Sequence, residues 1–294
     1  MTDNPQVDIC YFSGTGNTAH VADLYRQAFA ERGRPVTVTP IEDVQAGRVP
    51  HPAGEGLLGV GYPVHALNAP RLVFEYLDAL PPGEGRRVFT FRTAGDPFMQ
   101  GGATNMVRSR LLARGYDVVH EQLIVMPGNV VVGYDARLVG QLARRAAVLV
   151  PQAVDDILAG RRVLQTSRAL TRLVTMGFSA GERRGARYFG RMLRATGACS
   201  HCGVCARICP TGNITMDDGQ VRFDDTCTLC MRCIYACPER AIVPRLLRFF
   251  VLRDGYDLDE MLAAPAAQEG DYVTAETGGW YGRMRAYLGL AEGE

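Results

Sequence analysis

Val7-Asp-Ile-Cys-Tyr-Phe12 runs directly into Ser13-Gly14-Thr15-Gly16-Asn17-Thr18. The first six residues are a short apolar run of the kind that forms a buried strand. Beyond the glycine-rich turn, Val21, Leu24, Tyr25, Ala28 and Phe29 fall at i, i+3, i+4, i+7 and i+8, which predicts a helix over 18–32 with Gly33 as its stop. A helix N-terminus offers unpaired amides and the positive end of a dipole, so a strand–turn–helix built on glycines and three hydroxyls is an anion cradle. Working outward, Pro35–Pro40, Leu57–Val60, Arg87–Phe91 and Leu123–Met126 read as further strands. Residues 69–80, 104–114 and 136–159 read as helices between and after them. Strands separated by helices imply right-handed βαβ units, hence an α/β fold with a doubly wound parallel sheet over residues 1–160.

Eight of the nine cysteines lie between Cys199 and Cys237. They form Cys199-Ser-His-Cys202-Gly-Val-Cys205-Ala-Arg-Ile-Cys209-Pro210 and Cys227-Thr-Leu-Cys230-Met-Arg-Cys233-Ile-Tyr-Ala-Cys237-Pro238. Each is C-x2-C-x2-C-x3-C-P, the run of two-cluster bacterial ferredoxins, in which the fourth cysteine serves the other cluster. The expected ligand sets are Cys199, Cys202, Cys205 and Cys237 for one 4Fe–4S cluster, and Cys227, Cys230, Cys233 and Cys209 for the second. Ile214–Phe223 between them reads as a hairpin turning at Asp218-Gly219. Two structural zinc sites are the competing reading, but zinc ribbons usually pair two Cys-x2-Cys knuckles and do not repeat a run of four. Cys10, alone in the first strand, reads as a buried apolar residue. His201 reads as a loop residue that tunes a cluster through its field.

All 32 basic side chains are arginine, which excludes a Walker-type lysine and any lysine Schiff base. The net charge of +1 argues against nucleic acid as the main partner, yet it hides an asymmetry. Residues 161–198 hold nine arginines and one acid, whereas residues 254–294 hold two arginines and nine acids. The chain therefore divides into residues 1–160, a basic helical connector at 161–198, the cysteine-rich unit at 199–243 and an acidic extension at 244–294. On the connector, Arg183, Arg187, Arg191 and Arg194 recur at helical spacing opposite Tyr188, Phe189, Met192 and Leu193. That stripe is a solvated face or a docking face for an acidic partner or for the acidic tail; a membrane-surface role would show the same pattern. No run is long and apolar enough to span a membrane. The N-terminus carries no secretory pattern, so the cytoplasm is the expected compartment. Gly54-Glu-Gly56-Leu-Leu-Gly59 matches G-x-G-x-x-G, but it enters a strand instead of opening a helix and reads as chance.

Five strands in about 130 residues fit the flavodoxin-like order, whose ligands lie outside the C-terminal strand ends. Ser13, Thr15, Gly16 and Thr18 reproduce the hydroxyl–x–Thr–Gly–x–Thr spacing and resemble the FMN-phosphate loop of flavodoxins. Two further loops stand at strand ends: Tyr62-Pro63-Val64-His65 and Thr93-Ala94-Gly95, the latter continuing through Phe98 to Gly101-Gly102. Tyr62, His65 and Phe98 are candidates to stack on or cover a flavin ring, and the glycines to approach its polar edge. Asn129, in Met126-Pro127-Gly128-Asn129, can face the same site.

These motifs, in this order and over nearly the whole length, resemble the flavodoxin–ferredoxin fusion family: ferredoxins with an N-terminal flavodoxin-like domain. Ala69-Pro70-Arg71 adds to the likeness. The resemblance implies FMN, two 4Fe–4S clusters and electron transfer between them, to or from a redox partner protein that docks on the arginine-rich connector or the ferredoxin unit. An FMN-dependent reductase that acts on a small substrate at its own flavin, fed by the clusters, is the alternative.

Overall fold

The computed structural model describes residues 5–290 apart from 66, 99–100, 167–176, 178–180 and 182–183. Arg183, the first arginine of the connector stripe, lies outside the described residues. The sheet contains β1 (Val7–Tyr11), β2 (Val36–Pro40), β3 (Leu57–Pro63), β4 (Arg87–Ala94) and β5 (Asp117–Val125), in the order β2-β1-β3-β4-β5. Every pairing is parallel. This is the flavodoxin-like order, with its switch point between β1 and β3. Helices α1 (Asn17–Glu31), α2 (Ile41–Gln45), α3 (Arg71–Ala79), α4 (Gly101–Ala113) and α5 (Ala136–Leu158) cover the two faces.

One core layer joins β1 and β3 to α3 and α4 through Phe12, Val60, Tyr62, Leu77 and Leu111. The other joins the opposite sheet face to α1 and α5 through Ile9, Tyr25, Phe91 and Val154. Gly61 exists for this second layer: a Cβ there would stand 2.2 Å from the Phe91 ring, which stacks on Tyr25 at 4.7 Å between centroids. α1 ends with Gly33 in the left-handed region, φ 71°, the geometry for which glycine is favoured at a helix end.

β5 begins six residues before the expected Leu123. His120, Glu121 and Gln122 break the apolar pattern, but the charge of Glu121 is answered. The Glu121 amide donates to the Val163 carbonyl at 2.9 Å and its carboxylate pairs with Arg108 at 2.8 Å. Residues 161–166 thus run extended beside β5 before the chain becomes helical over 184–192 (α6).

The cysteine-rich unit is held by two antiparallel pairs. β6 (Leu193–Ala195) pairs with β9 (Ile242–Pro244), and β7 (Ile214–Asp217) with β8 (Gln220–Phe223) around the left-handed Asp218-Gly219 turn. Short helices α7 (Val204–Arg207) and α8 (Arg232–Tyr235) follow the first cysteines of each run. The acidic extension then returns to the sheet domain through α9 (Leu258–Ala263), α10 (Gly279–Gly282) and α11 (Met284–Leu288). It buries Val273 and Met284 completely against Leu138, Leu142 and Val125. Among the described residues no helix is long and apolar enough to cross a membrane.

Candidate flavin and iron–sulfur centres

The eight cysteines separate into two nests, each drawing its fourth member from the other run. Cys199, Cys202, Cys205 and Cys237 line one pocket, closed by Pro238 and Ile242. Cys209, Cys227, Cys230 and Cys233 line a second, closed by Phe189, Leu193 and Ile234. Proline after the fourth cysteine turns each run away, and backbone amides point at the sulfurs. Asn213 donates to Cys209 Sγ at 3.2 Å, Leu229 to Cys227 Sγ at 3.3 Å, and Ala241 to Cys237 Sγ at 3.3 Å. Such N–H···S bonds are among the levers that set cluster potential.

Burial pushes the Cys233 thiol well up, and the neighbouring Cys230, Cys227 and Cys209 push it further; Cys205 is raised by burial and then by Cys237 and Cys199. Thiols so placed ionise only against iron, so cluster uptake releases protons. Among the described residues no three His, Cys, Asp or Glu side chains converge as a single-ion site requires. Four thiols around a pocket suit a cube of iron and sulfide instead.

The two nests differ in position. In the outer nest Cys202 is exposed. In the inner nest Cys230 is buried and belongs to the same apolar layer as Phe12 and Val60 of the sheet domain. The inner nest presses on the loop after β1: a Cβ on Gly14 would stand 2.4 Å from the Cys230 carbonyl oxygen. Arg232 locks this junction. Its guanidinium pairs with Glu42 at 2.7 Å, donates to the Ser13 carbonyl at 2.5 Å and the Ile208 carbonyl at 3.1 Å, and lies over the Phe12 ring.

The loop itself is shaped from within. The Gly16 amide donates to Ser13 Oγ at 3.2 Å, with Gly16 at φ 99°. Asn17 Nδ2 donates to the Pro127 carbonyl at 2.8 Å. The Thr18 hydroxyl is buried against the Thr93 hydroxyl at 2.8 Å. Asn129 faces the loop as expected, its Nδ2 donating to Thr15 Oγ1 at 2.9 Å. Gly14, Thr15 and Gly16 then open on a cavity of about 440 Å³ whose other walls include His20, Asp23, Arg232, Tyr235 and Tyr256–Asp259. Ala19 and His20, in the first turn of α1, line it too, which sets the N-terminal end of that helix beside the cavity. Asp257 and Asp259 stand exposed at its rim. Tyr235 and Tyr256 were not legible as site residues. The Tyr235 hydroxyl donates to the Asn129 carbonyl at 2.7 Å and the Tyr256 hydroxyl to Asn17 Oδ1 at 2.7 Å, across 106 and 239 residues of chain.

The three candidate ring-covering side chains go different ways. Tyr62 is a correction: it is fully buried among the residues under α3 and α4 and offers no face to a ligand. Strand alternation explains it, since Leu58, Val60 and Tyr62 share one face of β3. His65 turns to the cysteine-rich unit, its Nδ1 3.2 Å from the Thr228 carbonyl, and burial pushes its pKa down to about 4. Phe98 is 57% exposed, with the Arg283 guanidinium 5.4 Å from its ring centroid. Of the backbone candidates, Pro63 and Val64 are half-buried at the end of β3. Thr93 and Ala94 are buried, and the Gly95 carbonyl accepts from the Tyr134 hydroxyl. Gly101 and Gly102 open α4. Cys10 is buried in the core, its thiol pushed up to about 11. In the connector stripe, Arg187 and Arg191 both reach Asp225, at 3.6 and 2.8 Å. Those two are therefore tied to the cysteine-rich unit itself.

Residues 198–241 match the family model of the 4Fe-4S dicluster domain. No curated protein matches the chain. Among solved structures the chain is similar to a flavodoxin from the domain Archaea, at 17% identity and a TM-score of 0.36, over 52% of this chain and 99% of that one. Flavodoxin 2 from Bacillus cereus aligns at 16% identity and a TM-score of 0.39, over 51% and 99%. The rubredoxin oxygen:oxidoreductase of Desulfovibrio gigas aligns at 18% and 0.36, over 53% of this chain and 36% of that one. The strand order, and not these distant likenesses, carries the fold of the first half. The chain thus joins a flavodoxin-like domain to a two-cluster 4Fe–4S domain.

Proposed function

We propose that this protein carries electrons between FMN and two 4Fe–4S clusters, with the inner nest as the relay and the outer nest as the exit toward a redox partner. The observation that carries the reading is the packing of Cys230 against Gly14, which sets an iron–sulfur ligand directly on the candidate phosphate loop. FMN supplies two-electron storage with one-electron release, and each cluster accepts one electron.

The residues present fit that flavin's phosphate. Loop 13–18 supplies the Thr15 hydroxyl, the glycine backbone of Gly14 and Gly16 and the start of α1 beside a cavity large enough for a phosphate and its polyol chain. Of the three carboxylates that line it, Asp257 and Asp259 are solvent-exposed and therefore screened, and Asp23 is paired with Arg26. Backbone at Pro63–His65 and Thr93–Gly95 is the candidate support for the ring. Arg232 fixes the inner nest to the loop, and Tyr235 and Tyr256 close the cavity wall. The exposed Cys202 makes the outer nest the route to solvent.

Anaerobic reconstitution with iron, sulfide and FMN tests the reading. Two clusters and one flavin per chain are expected, with cluster signals in EPR following reduction of the flavin. A chain that takes up clusters but no flavin, or whose reduced flavin never reduces a cluster, would refute it. Thr15→Ala, at the hydroxyl of the loop that lines the cavity, should weaken FMN binding by about fivefold, on the scale of one lost hydrogen bond. Unchanged affinity in a flavin titration would remove the phosphate-loop assignment.

A further inference from the structure

The run Arg240–Arg253 contains four arginines and no acid, and it alternates them with large apolar residues. Its middle does not fold inward. Leu246 is 58% exposed, Leu247 42% and Phe249 62%. Val131 and Val132, 51% and 53% exposed, adjoin them, because the Val131 amide donates to the Phe250 carbonyl at 3.2 Å. Five large apolar side chains thus stand together in solvent, which a soluble surface ordinarily avoids unless the patch binds something.

The backbone that displays them is firmly held. The Arg245 amide donates to the Met192 carbonyl at 2.8 Å, the Phe250 amide to Leu247 at 3.0 Å, and the Leu252 amide to the Tyr235 hydroxyl at 3.0 Å. Leu247 and Val131 both adopt left-handed backbone, at φ 61° and 68°. That conformation is uncommon for leucine and an outlier for a β-branched residue. Strain of this kind gathers at functional positions.

Arg245, Arg248 and Arg253 are exposed around the apolar turn. Among the described residues none of them forms an ion pair, unlike Arg187 and Arg191 on the neighbouring helix. Asp254 follows Arg253 as the nearest acid in the sequence. We propose that this turn, Arg245–Phe249 with Val131 and Val132, is a docking surface for an anionic lipid bilayer. The apolar tips enter the acyl boundary while the arginines meet lipid phosphates. Consecutive residues protruding from one turn suit a fluid surface that closes around them, and unpaired arginines on the same turn supply the complementary charge. The surface is independent of the flavin assignment, since none of its residues lines the cavity or either nest.

Flotation of the cluster-loaded protein with phosphatidylcholine–phosphatidylglycerol vesicles, against phosphatidylcholine alone, tests the proposal. Binding to the anionic vesicles, weakened by salt, is expected. Leu246→Ser with Phe249→Ser should reduce it at least about tenfold. Arg245→Gln with Arg248→Gln should reduce it about fivefold per arginine. The visible absorption of the clusters reports that each variant is folded. No flotation with anionic vesicles, or flotation undiminished in the serine variant, would overturn the proposal. Equal binding to both vesicle types would overturn the role of the arginines. Sedimentation that shows a dimer abolished by the serine variant, without vesicle binding, would give the patch to a second copy of the chain. Vesicle-independent capture of an acidic protein lost in both variants would give it to a protein partner.

Discussion

The two cysteine nests are built from the same spacing, C-x2-C-x2-C-x3-C-P, yet they live in different surroundings. The outer nest closes on Pro238 and Ile242 and leaves Cys202 exposed. The inner nest sinks Cys230 into the apolar layer of the sheet domain, with Arg232 bonded to three segments around it. Identical ligand chemistry is therefore given two roles by what packs against it. The two runs also differ at the residue that follows the second cysteine. Gly203 in one and Met231 in the other precede helices at left-handed backbone, but Met231 is buried in the core of the cysteine-rich unit and Gly203 has no side chain to bury.

The sharpest way to break the comparison is to remove one ligand from each nest. Cys202→Ser and Cys230→Ser should each lose about half of the iron, but only the second should also weaken FMN retention, because its loop rests on Gly14. Iron and flavin per chain measure both. Equal flavin loss in the two variants would erase the inner and outer distinction.

Arg232→Met comes next. It strands Glu42 and several carbonyls at a largely buried junction, a loss of about 2–4 kcal/mol that should appear as a lowered unfolding midpoint and faster release of inner-nest iron to a chelator. The outer nest should release iron at the wild-type rate. Gly14→Ala is smaller, about 1–3 kcal/mol, since its Cβ would force the Cys230 carbonyl back from 2.4 Å. A wild-type unfolding midpoint in that variant would show that the two loops are not in contact.

The smallest effect is a pH dependence. Burial pushes His65 down to about 4 in the fold, below the value near 6.5 of a free imidazole. As pH falls, the unfolded chain takes up the proton first. The stabilisation is therefore complete above about pH 6.5 and is lost as pH falls through about 4. Because His65 is only half-buried, about 1–2 kcal/mol is the scale expected. His65→Gln should flatten the stability curve between pH 7 and 5 in denaturant titrations. Parallel curves for the two proteins would mean that a neutral imidazole does not sit at the junction.

Local pattern carried far in this chain where the physics is local. The β1–turn–α1 unit was legible because its periodicities switch from 2 to 3.6 across a glycine turn, and the cluster ligands because cubane geometry imposes a fixed spacing. Tyr62 was misread as a ring-covering residue although alternation along β3 already pointed it inward. The start of β5 was hidden because His120–Gln122 are polar, and Glu121 is satisfied by Arg108 on α4 and by residues 163–165, across a long helix. Tyr235, Tyr256 and Arg232 could not be found from spacing at all. Their partners are Asn129, Asn17 and Glu42, each more than 100 residues away.

Sequence by itself determined the parts: a parallel sheet with an anion-binding turn, and two runs of thiols each able to hold most of one cluster. Ligand spacing and strand–helix period are fixed by bond lengths and backbone geometry, so they can be read residue by residue. Only the tertiary structure decided which nest faces the turn, which tyrosines wall the cavity and which apolar turn stays in solvent. Those outcomes depend on the docking of surfaces distant in the chain, where shape and burial, and not local pattern, set the free energy.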